Sequence, residues 1–192
     1  MDNRYYHSVC NEFEKKIYTL ILEGLLDFQD VIYINIHYPI TSAMIGTIFK
    51  MVLYDNPKIF YTSTLGCIIE QTGLSVRIQP KYFFSEHSTV ELLEWLDERV
   101  AEICVPILRV EDQFSKEIFI HNYLIQNVNY SASDVSLPVN AYTVVGTLLE
   151  NNSVCAGVAL SFKLLMDYLG VPCIVATTNL VLRSSSRITA VR

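Results

Sequence analysis

Apolar residues recur near the amino terminus at Val9, Phe13, Ile17, Leu20, Ile21, Leu25 and Phe28, with Glu12, Glu14, Lys15 and Lys16 on the other side. Steps of three and four predict one amphipathic helix over residues 5–28. The pattern then switches to alternation in "VIYINI", where Ile32, Ile34 and Ile36 share one face of a strand, and returns to helical spacing in "TSAMIGTIFKMVLYDNP" until Asp55-Asn56-Pro57 breaks it. In "IFYTSTLGCIIEQTGLSVRIQPKYFF" β-branched and aromatic residues dominate and "QTG" supplies a turn, which predicts a small antiparallel hairpin or meander.

From Ser88 the helical rhythm resumes through Val90, Leu93, Leu96, Val100 and Ile103, opened by a Ser88/Glu91 capping box and ended or kinked by Pro106. A further helix is expected at about 112–128, with Phe114, Ile118, Ile125 and Val128 as its stripe. The loop "NYSASDVSLPVN" follows, then a short helix around 141–149, a helix from 154 to 169, and a strand "CIVATTN" running into "LVLR". The polar end "RSSSRITAVR" reads as frayed. The fold class is α+β: a helical and small antiparallel-sheet region over 1–110, then a second domain over 111–192, with a soft boundary near 110.

Composition narrows the function more than the fold. Of 192 residues, 51% are hydrophobic and 18% charged, enough apolar surface for a sizeable core. Net charge is -6 with Lys and Arg scattered, so no footprint for nucleic acid is present. The start "MDNRYYHSVCNEFEKK" lacks the apolar run of a secretory signal. The apolar stretch 154–182 is interrupted by Lys163, Asp167, Gly170 and Pro172, so it reads as core rather than membrane. Five cysteines at irregular spacing, without a CxxC pair, fit reduced thiols in a cytoplasm. No phosphate-binding glycine loop and no metal-ligand spacing occur, so no cofactor or metal is expected. Glu91, Glu94, Asp97 and Glu98, like Glu111 and Asp112, fit solvated helix faces.

The chemistry concentrates at Cys155. Ser153 is placed to serve as N-cap of the 154–169 helix, with Gly170 as the residue after its C-cap and Pro172 as a stop beyond it. That puts the sulfur in the first turn, where the backbone N–H groups and the positive end of the helix dipole favour a thiolate when a basic partner helps. Ala156, Gly157 and Ala159 leave room for a backbone or substrate to approach, while Val158, Phe162, Leu165 and Leu169 form an anchoring stripe. A buried, inert cysteine is the competing reading of the same residues.

The segment "NNSVCAGVALSFKLLMDYLGVPC" resembles the nucleophile segment of the transglutaminase-like superfamily, in which a small residue, Val, Cys, any residue and Gly precede a helix ending in Leu-Gly-Ile/Val-Pro-Cys. "IHNYLIQNVNYS" resembles the helix that members place before the domain, and "AYTVVGTLLENNSVC" the approach to the nucleophile. "LYDNPKIFY" with the strands after it is similar to an amino-terminal region of many bacterial members, and the likeness extends over most of residues 30–178. It implies a papain-like cysteine-peptidase type of domain, Cys155 as nucleophile, and a hydrolase or acyl transferase acting on peptide or side-chain amides. It also implies a histidine on a later strand as base and an aspartate on the next strand to orient it.

The sequence departs from that pattern after the cysteine. No histidine follows Cys155, and the only acidic residue there is Asp167, inside the helix. His121, in "FIHNYL", matches a family position that is not catalytic, and its place on the apolar stripe makes it a core or boundary residue. His7, His37 and His87 lie in the first region. The expectation is a triad present only at Cys155, a catalytic sheet short of strands, and little or no amidase activity. Two further readings stay open: a non-catalytic binding or structural module of the same fold, and an amino-terminal piece of a longer protein.

Overall fold

A computed structural model describes residues 4–35, 41–63, 66–131, 137–177 and 188–191. The chain is α+β, and it divides into two compact units, Arg4–Thr89 and Val90 onward. The division falls within the first turn of the helix Glu86–Cys104, upstream of the boundary expected near 110.

In the first unit the expected 5–28 helix is two helices, α1 (Tyr5–Val9) and α2 (Glu12–Leu26). Asn11 causes the break: its side chain accepts from the N–H of Phe13 and Glu14 while Glu14 accepts from the Asn11 N–H, a closed capping box. After α2 come β1 (Ile32–Asn35), α3 (Ser42–Asp55), β2 (Ile68–Thr72) and β3 (Ser75–Gln79). The three strands form one antiparallel sheet in the order β1-β3-β2, with Ile34 opposite Val76 and Ile69 opposite Ile78. Alternation in β1 behaves as expected, Ile32 and Ile34 buried and Tyr33 exposed; Ile36 and His37 lie outside the described residues. These apolar faces meet Ile17, Ile21 and Leu25 of α2 and Ile45, Phe49 and Val52 of α3 in the unit's core. Phe28, just past α2, takes a left-handed φ of 51° that a side chain disfavours. Stacking on Tyr61 at 4.5 Å between centroids offsets that cost, and the Tyr61 hydroxyl donates to the Leu25 carbonyl at the end of α2.

The second unit is built mainly from helices: α4 (Glu86–Cys104, counted here from Val90), α5 (Gln113–Asn127), α6 (Val144–Leu148) and α7 (Cys155–Tyr168). α4 starts earlier than its expected capping box. Ser85 accepts from the Ser88 N–H at 3.1 Å, so Ser88 is already helical, and the Ser88/Glu91 pair does not form the cap. Its other end is as expected, with Pro106 inside a single 3-10 turn, Val105–Ile107. Glu91, Glu94, Asp97 and Glu98 are exposed, as a solvated face requires.

α5 keeps its expected span, capped by Asp112, but not its expected face. Ile120 and Leu124 are buried, whereas Phe114, Ile118 and Ile125 are exposed. Both stripes have helical spacing, and packing chose the one that faces α7. Short pieces complete the unit: a parallel pair of β4 (Asn129–Tyr130) with β5 (Asn152–Ser153), a 3-10 turn at Val139–Tyr142, and an antiparallel pair of β6 (Ile174–Thr177) with β7 (Ile188–Val191). The expected frayed end is therefore strand over 188–191, while "TNLVLR" lies outside the described residues. Among the described residues no helix is long and apolar enough to cross a membrane.

Candidate functional site at the start of α7

Cys155 is the first helical residue of α7 and is half-buried. Its N-cap is Val154, not Ser153, and no side chain caps the helix. Ser153 is drawn elsewhere, into β5 and into a buried polar knot: its hydroxyl lies 2.7 Å from Thr147 Oγ1 and 3.1 Å from the Ala141 carbonyl. Thr147 donates in turn to the Thr143 carbonyl at 3.1 Å, and the Val154 N–H donates to the Ala141 carbonyl at 3.0 Å. The approach to Cys155 is thereby fixed from both sides, by β5 below and by the turn at Ala141.

Gly157 makes this seat possible. A Cβ at that position would lie 2.7 Å from the Ala141 carbonyl oxygen and 2.8 Å from Thr147 Oγ1, and closer still to the Ser153 hydroxyl. The room that Gly157 leaves is thus filled by the Ala141 carbonyl and by the hydroxyls of Ser153 and Thr147.

The far end of α7 is closed as the sequence predicts. Gly170 has φ +70°, its N–H donates to Asp167 and the Val171 N–H donates to Met166, a Schellman ending. Lys116 of α5 adds its ammonium to the Leu169 carbonyl at 3.1 Å, a cation at the negative end of the helix dipole. The anchoring face is wider than the expected stripe. Leu165 and Leu169 are buried, Val158 and Phe162 only partly so, and the buried set adds Ser161, Leu164, Met166 and the long side chain of Lys163. Lys163 is 1% exposed, and its ammonium bonds both carboxylate oxygens of Asp167 at 2.6 and 2.7 Å. The sequence shows this pair only as an interruption of an apolar run, although its spacing of four residues signals it.

Of the four histidines, only His121 belongs to the same unit as Cys155. His121 is exposed on α5, not in a core or boundary, with its ring Nδ1 3.3 Å from Asn122 Oδ1. His7 and His87 belong to the first unit, and His37 lies outside the described residues. Strands β6 and β7, which pack on α7, carry no histidine and no carboxylate. Among the described residues no group of His, Cys, Asp or Glu could hold a metal ion.

None of the five cysteines is in a disulfide. Burial pushes the Cys67 thiol up to about 11, Cys104 to about 12 and Cys173 to about 11, the last despite the opposing pull of Lys163. Each of these groups holds its proton more tightly folded than unfolded, so their contribution is fully present below the unfolded thiol pKa of about 8.5 and is lost as pH rises toward the folded values. The urea midpoint is expected to hold from pH 7 to 8 and to fall steadily between about pH 9 and 11. A midpoint constant across that window would contradict the burial of these thiols.

No protein-family model matches the chain, and no curated protein matches it at a significant level.

Proposed function

We propose that the first turn of α7 is a thiol site of the transglutaminase-like kind, and that this chain turns over amides slowly or not at all. In such chemistry the Cys155 sulfur would attack the acyl carbon of a peptide or side-chain amide. The S–C bond forms, the C–N bond breaks, and the amine leaves with a proton supplied by an acid; water or a second amine then releases the acyl group. The observation that supports this reading is the placement of Cys155 at the first position of an uncapped fourteen-residue helix, on a backbone seat held by Gly157, Ser153 and Ala141. No histidine follows Cys155 in the 192 residues to serve as base and then acid, and lack of a triad member costs at least about a thousandfold in turnover.

A second reading, a binding or structural module of the same fold, draws on the absence of histidine and carboxylate from β6 and β7. Iodoacetamide labelling at pH 7, followed by peptide mass spectrometry, separates the two. Cys155 is expected to react about tenfold faster than Cys67, whose thiol burial holds protonated, and Cys155→Ala should remove only its own adduct. A Cys155 no more reactive than Cys67 would leave the module reading. Rapid amide hydrolysis abolished by Cys155→Ala would overturn the proposed inactivity.

A further inference from the structure

We propose that residues Arg4–Cys10 form a releasable clasp on the first unit, latched by the buried carboxylate of Asp55 and hinged at Cys10–Asn11, whose opening bares the Cys10 thiol.

The helix inside this segment cannot hold itself. α1 has five residues, no buried side chain and no side-chain N-cap of its own, far below the length at which an isolated helix persists. Its N–H groups are capped instead from another element. Asp55, in the last turn of α3 and 5% exposed, accepts from the Tyr6 N–H at 3.1 Å and the His7 N–H at 2.9 Å. Its second oxygen also accepts from the Tyr18 hydroxyl at 3.0 Å, and Asn56 donates to that hydroxyl at 2.9 Å. A carboxylate at the C-terminal end of α3 opposes that helix's dipole, so the N-terminal end of α1 is what makes the position favourable. The charged node is flanked by ring contacts, Tyr6 with Tyr54 at 6.1 Å and His7 with Tyr18 at 5.0 Å between centroids.

The hinge is equally specific. The capping box of Asn11 and Glu14 closes the start of α2 on itself, so α1 can leave without fraying α2. Cys10 lies between the two helices, 6% exposed, with its sulfur 4.0 Å from the Met51 sulfur on α3. Burial raises the pKa of this thiol first of all, with Glu14 and Asp55 adding to it, so the closed clasp keeps it inert. Opening takes the sulfur out of that burial and away from Met51.

The test uses the full chain. Cys10 labelling by N-ethylmaleimide and hydrogen exchange of amides 5–10 are compared in the natural protein, Asp55→Asn and Tyr18→Phe. Asp55→Asn is expected to raise both by roughly tenfold or more, with amides of α2 and α3 unchanged within about twofold. Tyr18→Phe keeps both backbone donors of the latch and should raise them less than about threefold. In the natural protein, exchange of amides 5–10 should not depend on low concentrations of urea, because opening the clasp exposes little surface. That last measurement decides the matter even where Asp55→Asn fails to fold. Exchange in α1 that moves in step with α2 and α3, or a Tyr18→Phe effect as large as that of Asp55→Asn, would overturn the latch.

Discussion

Gly157→Ala is expected to destabilise the second unit by about 3 kcal/mol, through overpacking where nothing can give way. The added methyl would press on the Ala141 carbonyl oxygen at 2.7 Å, on Thr147 Oγ1 at 2.8 Å and on the Ser153 hydroxyl. Two of those are side-chain ends, but both are tied into the buried knot, and the third is backbone held by the Val154 N–H. For a unit of this size the loss corresponds to a fall in melting temperature of roughly 10–20 °C, read by calorimetry. The double variant Gly157→Ala/Ser153→Ala should recover less than half, because it leaves the carbonyl in place. A single variant within about 0.5 kcal/mol of the natural protein would mean that the seat under Cys155 is soft.

The second large effect is expected at Lys163. Removing one partner of a buried pair leaves the other charged without its counter-ion, at a typical cost of 3–5 kcal/mol. Asp167 is 22% exposed and gains some hydration, so Lys163→Met should cost about 2–3 kcal/mol by urea denaturation. Lys163→Met/Asp167→Leu should return to within about 1 kcal/mol of the natural protein, since an apolar pair of similar volume avoids the desolvation of two charges. A double variant as unstable as the single one would show that the ammonium holds more than its carboxylate.

The elements with a strong period or a strong stop were legible in the sequence. The α3 helix, the β2–β3 hairpin, the span of α5 and the Gly170 ending of α7 all follow from spacing and punctuation. What escaped was chosen by tertiary packing among local options that look alike. Asn11 interrupts a continuous apolar stripe, because the stripe runs on through the break while the capping signal is only a pair of residues. On α5 both faces carry apolar residues at helical spacing, and only contact with α7 selects Ile120 and Leu124 over Phe114, Ile118 and Ile125. Ser153 is a competent N-cap by type, yet the hydroxyl of Thr147 claims it across six residues. Position 155 itself was legible, since the helix start shifts by only one residue. The Asp55 latch had no local signal, because its donors lie 48 and 49 residues away.

The parallel bridge of β4 with β5 joins the end of α5 to the start of α7. Ser131 donates to the Asn152 side chain at 2.7 Å across 21 residues, beside the backbone bonds of Asn129 to Asn151 and Ser131 to Ser153. Closing a chain segment of that length costs a few kcal/mol of entropy, and here the cost is met when the protein folds. The residues that lead into α7, Asn151 to Ser153, are therefore tied to a distant part of the chain, so a change at Asn129 or Ser131 is felt at the start of that helix.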